Sequence, residues 1–247
     1  MNVKQYLDST YLKTASQAGL SEAENTVVVK NAIAEAIQEG FKLIMIRPEH
    51  VALAKKMIVE ANSVLLVGTV IDFPEGKSSL ETKIKEANEA IANGADDLDF
   101  VCNYEAFKNG DLDLIKKEIL IGTQIGLAND KTVKWIIEVA ALTDKEIIQL
   151  SSLIKHVVVS NFKEDDFESV FVKSSTGFYK TENGLPNGAT VSAIIIMLEN
   201  ASPLSVKAAG GVRSFEEAAE MIRLGVKRIG TSAAKAIANG EISPNQY

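Results

Sequence analysis

A chain of 247 residues has room for one α/β barrel or two smaller domains. With 46% hydrophobic residues, 24% charged residues and a net charge of −7, it has the composition of a soluble globule and the wrong sign for a nucleic-acid or anionic-membrane surface. One cysteine, Cys102, excludes an internal disulfide framework and a cysteine-built zinc site. Two histidines, His50 and His156, leave little material for His-bearing triads or metal centres. No apolar run approaches the roughly 18 residues that span a bilayer. Residues 1–8 lack the apolar core of a signal peptide. A single thiol and no leader fit a reducing cytoplasm.

The pattern along the chain is an alternation of strands and helices. Residues 6–10 read as an inner strand. Residues 21–39 read as a helix, with Ser21 and Glu24 forming a capping box and Gly40 stopping it. A buried strand at 41–46 and a helix at 49–61 follow, then a strand at 64–70 and a helix at 79–93 that ends at Gly94. Next come a strand at 97–102, a helix at 112–127 and a strand at 133–139. The stretch 142–160 is ambiguous, because His156-Val157-Val158-Val159 has strand composition. Ile147, Leu150, Ile154 and Val158 recur at helical spacing, however, and predict one helix capped by Thr143. A charged loop at 161–167 leads into a strand ending at Lys173. A helix at about 190–200, a strand ending at Lys207, a helix at 215–224, a strand at 226–231 and a helix from 233 complete the chain. Eight βα units in this length predict a TIM barrel forming one domain over 1–247, with an open doubly wound sheet as the alternative.

In such a barrel the chemistry sits at the carboxyl ends of the strands. Two of those ends share a form: Phe171-Val172-Lys173-Ser174-Ser175-Thr176-Gly177 and Ser205-Val206-Lys207-Ala208-Ala209-Gly210-Gly211. Each lysine closes an apolar strand before a small-residue turn, and the two are 34 residues apart, one βα unit. A single lysine there is an ordinary snorkelling side chain. Two in matching places point to an amine whose pKa is tuned by its neighbour. On a Coulomb estimate one ammonium supplies most of the shift and partial desolvation the rest. Asp99, between Leu98 and Phe100, faces opposite to them and is predicted inward; a solvated acidic edge is the plain alternative. It opposes the shift, so it is expected nearer to Lys207 than to Lys173, or to act through water. Lys134 precedes the apolar part of its strand and is expected to contribute only charge. Gly210-Gly211 and Gly230-Thr231-Ser232 each lead into a helix, as anion cradles do, although tight helix–strand packing explains them equally. Arg213 either adds charge to such a cradle or pairs with Glu216 or Glu217. Cys102 and Trp135 read as packing residues.

These motifs, with Gly94-Ala95-Asp96-Asp97-Leu98-Asp99-Phe100-Val101, Asn187-Gly188-Ala189-Thr190-Val191 and Arg228-Ile229-Gly230-Thr231-Ser232, resemble the deoxyribose-phosphate aldolase family of class I aldolases. Weaker matches at Leu7-Asp8-Ser9-Thr10 and Gly68-Thr69-Val70-Ile71-Asp72-Phe73-Pro74 extend the resemblance over nearly the whole chain. It implies a TIM barrel in which Lys173 forms a Schiff base, Lys207 is its electrostatic partner and Asp99 shuttles protons through a water. It implies reversible cleavage of 2-deoxy-D-ribose 5-phosphate to acetaldehyde and D-glyceraldehyde 3-phosphate, with neither cofactor nor metal. The candidate substrate- and phosphate-binding residues are Thr10, Gly177, Gly210, Gly211, Val212, Arg213, Gly230 and Ser232. The expected partners are therefore small phosphorylated sugars and aldehydes. A homodimer is compatible with the sequence but not specified by it. Some positions depart from the family pattern: Ser9 replaces a histidine, Met45 stands where a cysteine is frequent, and Ala233 replaces a serine next to the proposed cradle. Another Schiff-base barrel enzyme and a catalytically silent phosphosugar-binding barrel remain as other readings. A phenol at Tyr247 is a further candidate for assisting proton transfer.

Overall fold

Among the described residues, eight parallel strands close into a barrel: β1 (Leu7–Tyr11), β2 (Leu43–Ile46), β3 (Leu66–Ile71), β4 (Asp97–Val101), β5 (Thr132–Ile136), β6 (Val170–Lys173), β7 (Ser205–Ala209) and β8 (Arg228–Thr231). Each pairs with the next in sequence, and β8 returns to β1. The computed structural model describes residues 2–241; Tyr247 lies outside them. The TIM barrel predicted from the alternation is thus the fold, and the open doubly wound sheet is not.

Helices α1 (Ala15–Ala18), α2 (Glu22–Glu39), α3 (Val51–Glu60), α4 (Leu80–Ala92), α5 (Tyr104–Lys108), α6 (Leu112–Leu127), α7 (Asp144–Asn161), α8 (Val191–Ala201), α9 (Phe215–Leu224) and α10 (Ala234–Ala238) fill the connections. Local chemistry sets their ends. Ser21 and Glu24 form the capping box of α2, and Gly40 closes it in the left-handed conformation. Thr143 and Glu146 do the same at the start of α7, which runs through His156–Val159. Ile147, Leu150, Ile154 and Val158 are its buried stripe, so periodicity overrides the β-branched composition there.

Several boundaries move. The fifth strand ends at Ile136 because Glu138 takes a left-handed φ of 55° and Val139–Ala141 form a 3₁₀ turn. Another 3₁₀ turn, Glu164–Ser169, occupies most of the expected charged loop. Two short helices were not foreseen: α1, boxed by Thr14 and Gln17, and α5, capped by Asn103. Four or five residues are too few for an apolar period to show, and only their caps announce them.

The outer core lies between strands and helices. There Trp135 stacks on Phe100 at 4.9 Å and donates to Thr123 Oγ1 at 3.0 Å, so it is a packing residue, as is buried Cys102. Inside the barrel, Leu43, Met45 and Val70 form an apolar cluster with Leu12. A second apolar cluster, Val101 and Ile136 with Tyr104, lies beside it, and charged side chains from the other strands share the rest of the interior. Strand register decides which charges meet: Lys173 stands opposite Lys207, Asp99 opposite Lys134, and Lys207 opposite Arg228. Among the described residues no helix is long and apolar enough to cross a membrane.

Candidate active site

Asp99 is fully buried at the centre of the charged interior. Its Oδ2 accepts from Lys173 Nζ at 2.8 Å and from Lys207 Nζ at 2.9 Å, and its Oδ1 accepts from Lys134 Nζ at 2.8 Å. Lys207 also reaches Asp8 Oδ2 at 2.6 Å, and Lys134 reaches Asp97 Oδ2 at 2.6 Å. Arg228 bridges Asp8 and Asp97 from below, its Nε 2.7 Å from Asp8 Oδ1 and its terminal nitrogen 3.3 Å from Asp97. Gly230 makes room for this set: a Cβ there would lie 3.0 Å from Lys207 Cε.

Four cationic groups therefore meet three carboxylates away from water. A buried excess charge is costly, and the network sheds it most easily where compensation is weakest. Lys134, Lys207 and Arg228 each touch two carboxylates. Among the described residues Lys173 touches one, Asp99. Burial pushes the Lys173 ammonium down to about 8; Asp99 resists, and Lys207 and Lys134 add to the fall. At pH 7 about one molecule in ten then carries a free amine, against about one in 2,500 for an ordinary lysine. Burial alone would raise the Asp99 carboxyl, but Lys134, Lys173 and Lys207 together hold it well below the usual range. Asp8 is likewise held down by Arg228 and Lys207 against burial. Burial disfavours the Lys134 ammonium, yet Asp97 and Asp99 raise it.

Above this network opens a cavity of about 590 Å³. Lys173 lies on its wall, 3% exposed, with Asp99 and Lys207 beneath it. Thr10, Gly177, Gly210, Gly211, Val212, Arg213, Gly230 and Ser232 all line it. Not all of them offer a free donor. The Gly177 N–H is taken by Ser175 Oγ at 2.9 Å. The Thr231 hydroxyl donates to the Val212 carbonyl and accepts the Ala233 N–H, which removes that N–H from any anion at the start of α10. Gly210 and Gly211, with φ of 83° and 88°, form a turn that few other residues adopt. The Arg213 backbone N–H goes to Glu217 at 2.6 Å, while its guanidinium has no ion pair among the described residues.

A buried, partly deprotonated lysine facing a polar cavity on a (β/α)8 scaffold suits covalent carbonyl chemistry. The family model of the DeoC/LacD aldolases matches residues 5–243. The chain belongs to the DeoC/LacD family of aldolases. It is 36% identical over 241 residues to a deoxyribose-phosphate aldolase of Thermococcus gammatolerans, covering 97% of this chain and 96% of that one. It is 38% identical over 248 residues to a deoxyribose-phosphate aldolase of Staphylococcus saprophyticus, covering both in full. The solved structure of an aldolase designated QR15 matches with a TM-score of 0.79 and 30% identity, covering 97% of this chain and 95% of that one.

Within this aldolase barrel three expectations need correction. Asp99 is not nearer to Lys207 than to Lys173, nor does it need an intervening water to reach either; one oxygen serves both at near-equal distance. It can do so because a second carboxylate, Asp8, takes up much of the Lys207 charge. For the same reason Lys207 is not the main cause of the low Lys173 pKa; burial is. Lys134 does more than contribute charge, since it orients Asp99 by a direct bond. Asp97 and Arg228 are members of the network that were not expected from the sequence. The available signal was strand parity: Asp97 and Asp99 share a face, and Lys134 is their neighbour in register.

Proposed function

We propose that the chain cleaves 2-deoxy-D-ribose 5-phosphate reversibly to acetaldehyde and D-glyceraldehyde 3-phosphate, with Lys173 as the Schiff-base nucleophile. One observation carries the assignment of the nucleophile: Lys173 is the least compensated of the four cations in this buried network and the one that faces the cavity. Its free amine attacks the C1 carbonyl of the open-chain sugar, and loss of water gives the iminium. The iminium draws electrons from the C2–C3 bond as the 3-hydroxyl loses its proton. D-Glyceraldehyde 3-phosphate leaves with C3 to C5, and C1 and C2 remain on the lysine as an enamine. Protonation at C2 and hydrolysis release acetaldehyde and restore the amine. Asp99 lies within reach of Lys173 Nζ to hold and pass the protons of these steps. The Gly210–Gly211 turn and the Arg213 guanidinium would face the phosphate. Acidic charge and a lone thiol support a cytoplasmic setting. The test is release of acetaldehyde from 2-deoxyribose 5-phosphate, read by a coupled alcohol dehydrogenase; no release would refute the substrate.

Two variants examine the parts. Lys207→Leu removes one cation and leaves three against three carboxylates, so the pressure on Lys173 to lose its proton falls. Two ammonium groups about 4 Å apart repel by about 4 kcal/mol at an effective dielectric near 20. The acidic limb of kcat/KM should therefore move up from about 8 by about one unit, a fraction of that bare repulsion because burial stays and Asp8 already offsets much of the Lys207 charge, with activity at pH 7 falling and partly recovering at higher pH. An unmoved limb would mean that Lys207 does not tune Lys173. Gly211→Glu places a carboxylate where a Cβ meets open space but at a φ of 88° that strains any side chain, so the comparison between the two sugars, which share that strain, is the readout. It should raise KM for the phosphorylated sugar at least about tenfold more than for deoxyribose. Equal effects on the two sugars would place the phosphate elsewhere.

A further inference from the structure

Glu138 is buried just past β5, and the cleavage steps do not use it. Its two oxygens serve the chain that follows Lys173. Oε2 accepts from the Thr176 N–H at 3.2 Å and from the Thr176 hydroxyl. Oε1 lies 2.7 Å from Ser175 Oγ. That same hydroxyl lies 2.6 Å from the carbonyl oxygen of Asn187 and accepts the Gly177 N–H at 2.9 Å.

The hydrogens can be counted. A serine hydroxyl carries one proton, and both a carbonyl oxygen and an ionised carboxylate only accept. With Glu138 ionised, one of two contacts of full hydrogen-bond length has no hydrogen in it. With a proton on Oε1 every contact is satisfied: Oε1 donates to Ser175 Oγ, Ser175 donates to the Asn187 carbonyl, and Oε2 accepts from Thr176.

We propose that Glu138 is a neutral carboxylic acid and a positioning residue, which through Ser175 fixes the Asn187–Gly188 turn against Gly210 on the phosphate side of the cavity. The phosphate assignment rests on the aldolase reading above; the protonation state does not. The mechanical path is short. Asn187 Nδ2 donates to the Gly177 carbonyl at 3.2 Å, and the Ala189 N–H donates to the Gly210 carbonyl at 2.8 Å. At Gly188 the two backbones touch so closely that a Cβ would lie 2.5 Å from the Ala209 oxygen. A shift of Asn187 is therefore passed to Gly210. The groups that bear on Glu138 electrostatically are Lys173 on β6 and Tyr104 on α5. Burial pushes the Glu138 carboxyl up, and the Thr176 and Ser175 bonds and Lys173 do not cancel that rise.

Glu138→Gln and Glu138→Leu test the proposal. The amide reproduces a neutral acid, donating to Ser175 and accepting from Thr176, whereas leucine leaves the Thr176 donors unpaired. KM for 2-deoxyribose 5-phosphate should stay within about threefold in the Gln form and rise at least about tenfold in the Leu form, with a smaller change for deoxyribose. Loss in the Gln form equal to that in the Leu form would overturn the proposal. Two readouts need no turnover and remain available if the Leu form does not fold. In the unfolded wild type Glu138 ionises near pH 4.3, while in the fold it keeps its proton. Wild-type Tm should therefore fall relative to the Gln form as pH rises from about 4.5 to 7; a difference that is flat or runs the other way means an ionised Glu138. The infrared carbonyl band of a protonated carboxylic acid should be present at pH 7 in the wild type and lost in the Gln form. An unchanged spectrum overturns the neutral acid even if the sugar is cleaved as proposed.

Discussion

Lys173→Ala is expected to abolish borohydride trapping of the sugar and to lower turnover by at least about 10⁴-fold, the order of loss that follows removal of a covalent nucleophile. The fold should survive. Removing this cation leaves Lys134, Lys207 and Arg228 against Asp8, Asp97 and Asp99, an even balance. The native state also sheds a burden. A lysine whose pKa falls from about 10.4 when unfolded to about 8 when folded costs about 3 kcal/mol. The sign follows from the direction of the shift: this cost is fully present below pH 8 and vanishes as pH rises through the unfolded value. Wild-type stability should therefore gain on the Ala variant between about pH 8 and 10. An active variant that is still trapped would move the nucleophile to another lysine.

The second large effect is expected at Asp99. Asp99→Asn takes away the one carboxylate shared by Lys134, Lys173 and Lys207, leaving four cations against two carboxylates. Turnover should fall by about 10²- to 10⁴-fold, the usual worth of a placed proton-transfer group. Stability should fall by about 3–5 kcal/mol, as when one partner of a buried ion pair is removed, less whatever Lys173 recovers by losing its proton. Asp99 has a depressed carboxyl, so its contribution is present above the ordinary value near pH 4 and is lost as pH falls below it. The Tm difference between wild type and variant should therefore be large at pH 6 and shrink on acidification. Turnover and Tm both near wild type would leave Asp99 without either role.

The barrel was legible because its signals are repeated and local. Capping boxes at Ser21 and Thr143 and the Ile147–Leu150–Ile154–Val158 stripe each fix an element without reference to the rest. The lysine pair was legible for a related reason: matching strand ends in consecutive βα units put Lys173 and Lys207 side by side in register. What stayed hidden is collective. Lys134, Asp97 and Arg228 look like ordinary strand-edge charges until the barrel closes and β8 lies against β1. Only then do Asp8 and Arg228, 220 residues apart, become partners. Lys207 consequently has a smaller part than two lysines alone would imply, because Asp8 offsets its charge and burial does most to lower Lys173. Glu138 was hidden differently. Its strand was expected to continue to residue 139, and only the left-handed backbone turns its carboxyl toward Ser175 and Thr176.

The central claim is that Lys173 is the nucleophile because it is the least compensated of the buried cations. Its most direct test is reduction with borohydride in the presence of 2-deoxyribose 5-phosphate across a pH series, with the adduct located by mass spectrometry. The adduct should fall on Lys173 alone, and its rate of formation should reach half its maximum near pH 8. An adduct on Lys134 or Lys207, or a midpoint near the ordinary lysine value of about 10.4, would contradict it.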